Sequence, residues 1–203
     1  MIKSLQRTLT FEEFMECYPE DGRCYELIDG DVVERRPRGD HEYISSTITR
    51  KLDREIEPLH RPFFIPKTCC IKPESDFDGY VPDVIVLDRR QLPSEPLWKK
   101  ASTITKGSSA CLVVEVVSTN WQDDYAKKLE DYERLLIPEY WIVDYLALGD
   151  RRYIGYPKQP TVSIYSLVGE SYQLQQFREK EEIRSAIFPE LNLPAEVLLT
   201  VPY

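Results

Sequence analysis

The stretch CLVVEVVSTN, residues 111–120, has the composition of a buried β-strand. Its four valines are β-branched and favour extended backbone, yet one carboxylate, Glu115, stands among them. Because residues i and i+2 share a face of a strand, Glu115 points in the same direction as Val113 and Val117. An ionised carboxylate in that position is costly unless a cation or a hydrogen-bond donor pairs with it. The partner of Glu115 is therefore the first question that the sequence raises.

The chain as a whole has the composition of a folded protein. It has 203 residues, of which 42% are hydrophobic and 30% charged, enough for one domain of ordinary size. The formal net charge of −9 argues against a protein that coats nucleic acid through bulk charge, but it is compatible with a local acidic metal site. The N-terminal stretch MIKSLQRTLTFEEF has no apolar signal segment, and no later stretch is apolar enough to span a membrane. The sequence therefore predicts a cytoplasmic protein without a membrane partner.

The pattern along the chain predicts a mixed sheet with helices on its faces. Thr10 and Glu13 form a capping box ahead of a short helix, and Asp29-Gly30 between two β-type runs predicts a two-residue hairpin. Apolar residues at helical spacing predict a long helix from Asp40 to about Leu59. The remaining segments are, in order, the strands PFFIPKTCCI and YVPDVIVL, a long polar connection over 89–109, the strand with Glu115, a helix over 121–136, the strand EYWIVDYL, and two C-terminal strands around 168–171. We expect an α/β to α+β fold that forms a single domain over residues 1–203.

Two further strands carry one carboxylate each within apolar sequence. Asp83 follows Pro82 at the start of one strand, and Glu26 stands between Tyr25 and Leu27 in the first arm of the hairpin. Each acid on its own is compatible with the solvent-facing side of a strand. Acids that converge on one patch would repel one another unless a cation lay between them, and such oxygen ligands suit Mg²⁺ or Mn²⁺.

The helix after Glu115 supplies a candidate cation. A rotation of about 100° per residue gives this helix a core stripe of Tyr125, Leu129, Tyr132 and Leu136. Lys128 flanks that stripe and can turn back toward the sheet, whereas Lys127 points away from it into solvent. A lysine beside metal-bound carboxylates can orient a water molecule or stabilise the charge that develops on a phosphate.

Taken together, these residues resemble the PD-(D/E)xK nuclease superfamily, and more closely a bacterial family within it, abundant in cyanobacteria, described as restriction endonucleases. The resemblance covers roughly residues 8–195, and the spacing across 112–144 is its specific part. The matching segments are LTFEEF, YELIDGDVVE, His41 at the start of the long helix, VPDVIVL, LVVEVVS, Asp124-x-x-x-Lys128-x-x-x-Tyr132, and IPEYWIVD. The resemblance implies a restriction-endonuclease-like mixed β-sheet flanked by α-helices, with extra C-terminal strands.

The resemblance also implies a site. Asp83 and Glu115 become the ligands of Mg²⁺ or Mn²⁺, and Glu26 becomes a further acidic member of the catalytic set. The superfamily pattern places a lysine two residues after the second acid, where this chain has Val117. In this family the lysine has moved to the following helix, so Lys128 is the implied catalytic lysine.

The activity implied by the resemblance is metal-assisted hydrolysis of phosphodiester bonds in DNA. Because the chain is acidic overall, contacts to DNA would need local clusters of basic residues, and the candidate clusters also fit ordinary solvated loops. The candidates are Arg35, Arg36 and Arg38 after the hairpin, and Trp98, Lys99, Lys100 and Lys106 in the polar connection. Two-fold symmetry suits an enzyme that cuts two strands, so a homodimer fits the hypothesis, although no residue specifies one.

Two other interpretations stay open. One is a catalytically degenerate binding or interaction module that has kept the nuclease fold, which Val117 and the net charge favour. The other is that the acids never meet: Asp83 caps a turn, Glu26 is a cross-strand partner in the hairpin, and Lys128 pairs with Asp124 one turn earlier. Three neighbours have plainer interpretations, as core packing or helix caps: Tyr132, His41 and Ser118.

Overall fold

The computed structural model describes residues 8–202. The helices are α1 (Phe11–Glu16), α2 (Gly39–Ile56), α3 (Trp98–Ala101), α4 (Lys128–Arg134), α5 (Arg151–Ile154) and α6 (Glu196–Leu199). The strands are β1 (Tyr25–Ile28), β2 (Asp31–Glu34), β3 (Phe63–Phe64), β4 (Cys70–Ile71), β5 (Val84–Asp88), β6 (Thr103–Ile104), β7 (Ala110–Val116), β8 (Glu139–Asp144), β9 (Thr161–Val168) and β10 (Ser171–Phe177). A π-helical turn, Asp123–Lys127, leads directly into α4. Within the described residues, no helix is long and apolar enough to cross a lipid bilayer.

The main sheet has six strands in the order β10-β9-β8-β7-β5-β3. β7 and β8 run parallel, and the other neighbouring pairs are antiparallel. Every residue of β5, β7 and β8 is buried, which explains their nearly continuous apolar sequence. Because Val84 of β5 lies opposite Val114 of antiparallel β7, Asp83 and Glu115 lie at the same end of the sheet. The mixed sheet flanked by helices confirms the predicted fold class.

The two faces of the sheet are covered by different cores. Helices α2 and α6 and the C-terminal segment pack on one face, where Ile48, Val114 and Trp141 are fully buried. The π turn and α4 pack on the other face, which is rich in tyrosine and includes Tyr132 and Tyr140. Glu115 lies on this second face together with Val113 and Val117, as alternation along the strand predicted.

The hairpin β1–β2 lies beside the main sheet and forms as predicted. Asp29 and Gly30 make its two-residue turn, both with positive φ. Helix α1 begins with the predicted capping box of Thr10 and Glu13 and packs Phe14 against the hairpin. Backbone hydrogen bonds tie Leu27 to Gly79 in both directions at 2.9 Å, and Gly30 N–H donates to the carbonyl of Phe77 at 2.8 Å. The hairpin is therefore fixed to the body of the protein along β1 and at its tip.

Two predicted segments differ from the structure. The run PFFIPKTCCI is not one strand but two short ones in different sheets, β3 and β4, because Pro66 between them lacks a backbone N–H and favours a break. The polar connection over 89–109 contains α3, β6 and two 3₁₀ turns. Its fold depends on the buried Glu95, whose carboxylate accepts hydrogen bonds from the backbone N–H groups of Thr105 and Lys106.

The segment predicted as a helix over 121–136 is helical over 121–134, but residues Asp123–Lys127 within it form a wider π turn. The N–H of Lys128 donates to the carbonyl of Asp123, the i→i+5 bond of a π turn, so the rotation of 100° per residue does not hold there. Lys127, predicted to point into solvent, instead contacts Asp29 at the hairpin tip and Asp78, the latter at 2.9 Å. Leu136, predicted in the core stripe, lies beyond the end of α4 with a φ of 57° and is 45% exposed.

Candidate active site

A cleft with a volume of about 640 Å³ opens at the end of the sheet where Asp83 and Glu115 lie. Its walls come from the hairpin, the start of α2, the ends of β5 and β7, and the π turn with α4. The lining includes eight carboxylates: Glu26, Asp29, Asp31, Glu34, Asp83, Glu115, Asp123 and Asp124. It includes only four Arg or Lys side chains: Arg35, Arg36, Arg38 and Lys128. The cleft is therefore strongly electronegative, and its four deepest carboxylates form one cluster.

Asp83 lies just before β5, and each of its carboxylate oxygens has partners. Oδ1 contacts the guanidinium of Arg35. Oδ2 accepts the backbone N–H of Val116 at 2.7 Å and lies 3.2 Å from Nε2 of His41. Although burial raises the pKa of Asp83, the hydrogen bond from His41 and the charge of Arg35 outweigh it and lower that pKa to about 2. Asp83 is thus a carboxylate at neutral pH, held by two cationic or polar side chains.

Glu115 faces a lysine. Its Oε1 accepts a hydrogen bond from the Tyr132 hydroxyl at 3.1 Å and lies 3.1 Å from the ammonium of Lys128. Both charged side chains are almost fully buried, at 2% and 3% exposure. Burial raises the pKa of Glu115 well above its ordinary value, and the charge of Lys128 only partly counteracts that effect.

Lys128 is shared by three acids that come from three different elements. Its Nζ lies 3.1 Å from Glu115, 3.4 Å from Glu26 on the hairpin and 3.3 Å from Asp124 in the π turn. These charges hold the pKa of Lys128 well above its ordinary value in spite of its burial. Burial is the main cause that raises the pKa of Asp124 to about 7. A single ammonium therefore serves more carboxylates than it can neutralise.

Glu26 connects the two cations of the cluster. Its Oε1 accepts the backbone N–H of Val81 at 2.8 Å and faces Lys128, while its Oε2 lies 3.9 Å from Nε of Arg35. The hairpin thus delivers both an acid and a guanidinium to the same site. Nearby Asp83, Glu26 and Glu115 keep Arg35 charged by raising its pKa, against the effect of burial.

His41 lies in the first turn of α2 and contacts Asp83. Its Nε2 donates to the carbonyl oxygen of Val116 at 3.0 Å, with Asp83 as a second acceptor at 3.2 Å. Its Nδ1 is buried and has no hydrogen-bond partner among residues 8–202. Burial opposes the charged imidazolium, but the hydrogen bond and charge of Asp83 outweigh it, so the pKa of His41 is raised. Like the guanidinium of Arg35, the ring helps to position the Asp83 carboxylate.

The donor set of the cluster suits a hard divalent cation, because it consists of carboxylates. Within residues 8–202, however, no three His, Cys, Asp or Glu side chains are arranged as a metal site. Positively charged side chains occupy the inner oxygens instead: Arg35 on Asp83, and Lys128 on Glu115. The chemistry of these residues therefore fits a metal ion, but an ion needs at least one of these contacts to rearrange.

The structure brings together the four residues that the sequence predicted for the site: Glu26, Asp83, Glu115 and Lys128. The interpretation in which the acids never meet does not describe this arrangement, although the pairing of Lys128 with Asp124 that it included is present at 3.3 Å. Val117, at the position where the superfamily pattern has lysine, is 1% exposed and packs in the tyrosine-rich core. The basic residues of the polar connection do not line the cleft; Lys106 donates to the carbonyl of Ser94 at 2.9 Å.

Sequence reasoning did not predict that Arg35 joins the acidic cluster, since we named it only as a candidate contact to DNA or as part of a solvated loop. A signal for its position was present in the hairpin. A two-residue turn at Asp29-Gly30 pairs Glu26 with Val33, and alternation then places Arg35 diagonally across from Glu26 on the same face. No comparable local signal predicted that His41 would reach the carbonyl of Val116, a contact between residues 75 positions apart.

Comparisons with known proteins agree with this fold. A family model described as Uma2, putative restriction endonuclease, matches residues 11–196. Among solved structures, the chain is similar to a protein from Anabaena variabilis ATCC 29413 described as a putative nuclease belonging to DUF820. The two share a TM-score of 0.66 and 20% sequence identity over 94% of this chain and 97% of that chain, a likeness that concerns the fold. No curated protein matches the chain.

Proposed function

Since the chain belongs to the Uma2 family of putative restriction endonucleases, we propose that it hydrolyses phosphodiester bonds in DNA with a divalent cation, Mg²⁺ or Mn²⁺, held by Asp83 and Glu115. One observation supports this proposal above the others. An acid before one strand, an acid near the end of its antiparallel neighbour and a lysine from the next helix converge at the floor of one open cleft.

Each side chain of the site has a separate role in the proposed reaction. A bound divalent cation supplies a Lewis acid and lowers the pKa of an attacking water molecule. Asp83 and Glu115 would hold it, and the N–H of Val116 fixes the orientation of Asp83. Lys128, held beside Glu115, is placed to orient the water molecule or to stabilise negative charge on the phosphate. Glu26 contributes by positioning Lys128 from the hairpin side.

The charge of the cleft gives the divalent cation a second role. Eight carboxylates against four Arg or Lys side chains repel the phosphates of DNA. Divalent cations neutralise part of that charge, so binding of DNA in the cleft is expected to depend on them as strongly as cleavage does. The exposed side of Arg36, which pairs with Glu34 at the mouth of the cleft, remains a candidate contact to the phosphate backbone.

The test is cleavage of supercoiled plasmid DNA with Mn²⁺ or Mg²⁺ by the wild type and by Asp83→Asn and Glu115→Gln. We expect each substitution to lower the rate by at least about 100-fold, because it removes an anionic ligand. Asp76→Asn is the matched control, since Asp76 is a 78% exposed acid outside the cleft. Equal rates for wild type, Asp83→Asn and Glu115→Gln, or full activity of the wild type in EDTA, would refute the proposal.

A second function, a binding module that has kept the nuclease fold without catalysis, is favoured by one observation. The inner carboxylates are already paired with Arg35 and Lys128, and Val117 offers no amine. Under this alternative, Mn²⁺ raises the thermal-unfolding midpoint of the wild type while no DNA or RNA substrate is cut across a range of salt and metal concentrations.

A further inference from the structure

Arg35 and Lys128 are the two cations of the acidic cluster, and they are held very differently. Lys128 is 3% exposed and lies within 3.4 Å of three carboxylates. The side chain of Arg35 is 19% exposed and lines the open cleft, where its firm contact is to Asp83 and its second acid is 3.9 Å away. Of the two, Arg35 is the cation that can leave its place without opening the core.

The side chain of Arg35 can move while its backbone stays in place. Its N–H donates to the carbonyl of Cys24 at 2.9 Å, which continues the hairpin ladder beyond β2. The hairpin tip is held separately, through Lys127 on Asp29. Neither anchor involves the guanidinium, so a rotation about the side-chain bonds of Arg35 moves the charge and leaves Glu26 where it is.

The guanidinium of Arg35 lines the cleft together with Asp83 and contacts it there. The Oδ2 atom of Asp83 already accepts the N–H of Val116 and lies 3.2 Å from Nε2 of His41. The other oxygen, Oδ1, is the one that Arg35 contacts. An ion that enters the cleft and binds Asp83 at Oδ1 therefore competes with Arg35 for that oxygen.

We propose that Arg35 is a resident cation of the metal-free site, which occupies Asp83 and must be displaced before a divalent cation binds there. This inference rests on the proposed function, because it takes Asp83 as a metal ligand. The consequence is that the wild type binds metal more weakly than its carboxylates alone would allow. Its Kd is the intrinsic Kd of the carboxylates divided by the fraction of molecules in which Arg35 has released Asp83.

The test is a titration of the metal-free protein with Mn²⁺ alone, in which the electron paramagnetic resonance signal of free Mn²⁺ gives the Kd. We expect Arg35→Met to bind Mn²⁺ at least about tenfold more tightly than the wild type, because Asp83 is then always available. Arg36→Met is the control for charge alone, since Arg36 lines the same cleft, pairs with Glu34 and is 73% exposed. It should change the Kd by less than about threefold.

Arg35→Lys is a second variant that keeps the charge and protects against a folding defect in Arg35→Met. A lysine cannot reproduce the fork that reaches Asp83 and Glu26 together, so its Kd should lie between those of the wild type and Arg35→Met. If Asp83→Asn abolishes Mn²⁺ binding while Arg35→Met and Arg36→Met behave alike, the role of Arg35 is wrong and the metal site stands. If Asp83→Asn binds Mn²⁺ as the wild type does, or if neither the wild type nor Arg35→Met binds it, the proposed metal site fails and the inference fails with it.

Discussion

Buried carboxylates occur in two regions of this molecule, and their surroundings are opposite. At the start of β8, Glu139 is fully buried and accepts hydrogen bonds from the Trp141 indole at 2.7 Å, the Ser185 hydroxyl at 2.6 Å and the Ala186 N–H at 2.7 Å. All three donors are neutral, and two belong to the C-terminal segment that Glu139 fastens to the sheet. This acid has neutral donors instead of a cation and does not line the cleft of Asp83.

The cleft acids are surrounded by charged partners instead. Asp83 and Glu115 each have one neutral hydrogen-bond donor, the Val116 N–H and the Tyr132 hydroxyl, and otherwise depend on Arg35, His41 and Lys128. A carboxylate bound by neutral donors is complete as it stands, whereas a carboxylate bound by side-chain cations can exchange one cation for another. The comparison teaches that the partners of a buried acid, rather than its burial, distinguish a structural site from a site with chemistry.

The largest effect is expected when the shared cation of the cleft is removed. Lys128→Met leaves three buried carboxylates without their common partner and should lower the free energy of unfolding by about 3–5 kcal/mol. Urea unfolding followed by circular dichroism measures it. Lys127→Met is the matched control, because Lys127 is 25% exposed and should cost about 1 kcal/mol or less. Equal losses for the two variants would show that Lys128 does not balance the cleft acids.

A smaller loss, independent of metal, is expected in the other region. Glu139→Ala leaves three donors without this acceptor, two of them buried, and should cost about 2–4 kcal/mol in the same unfolding experiment. The stabilisation by Mn²⁺ should be unchanged in this variant, since Glu139 lies outside the cleft. A changed response to Mn²⁺ would mean that the two regions are coupled and that the comparison is wrong.

The smallest effect concerns pH. The pKa of Asp124 is raised to about 7 in the folded protein, above its ordinary value of 3.8, so the folded state binds more protons than the unfolded state between these values. Stability from this group is present below about pH 4 and is lost as the pH rises toward 7. Asp124→Asn removes that loss and should be more stable than the wild type at pH 7.5, but not at pH 4.

Asp123→Asn is the control for this pH experiment, because Asp123 is the neighbouring acid and is only partly buried. Urea unfolding at pH 4, 5.5 and 7.5 should show no comparable trend for it. A constant difference between Asp124→Asn and the wild type at all three values would contradict the assignment of the proton to Asp124.

The parts of the fold that local rules determine could be predicted from the sequence. The capping box at Thr10, the turn at Asp29-Gly30 and the face on which Glu115 lies each depend on residues within a few positions of one another. The convergence of Asp83, Glu115 and Lys128 followed from a resemblance together with this local geometry. Two predictions failed where the chain departs from regular geometry, since the π turn redirected Lys127 and Pro66 divided a predicted strand.

The long-range contacts of the site could not be predicted in the same way. Arg35 meets Asp83 across 48 residues, and this contact depends on how the hairpin docks beside β5. His41 meets the end of β7 only because α2 packs across that face of the sheet. A basic residue after a hairpin and a histidine at a helix start have many plainer explanations, and only the tertiary structure chooses among them.

Val117 and Lys128 show that a sequence pattern and a spatial pattern can select different proteins. A text pattern that demands lysine two letters after the second acid discards this chain, although an ammonium lies 3.1 Å from that acid. The residue at the expected position, Val117, is buried in the core, and the amine comes from Lys128 of the next helix. A query written in coordinates retains it: two carboxylates at one end of neighbouring strands and an amine within salt-bridge distance, whichever segment supplies it.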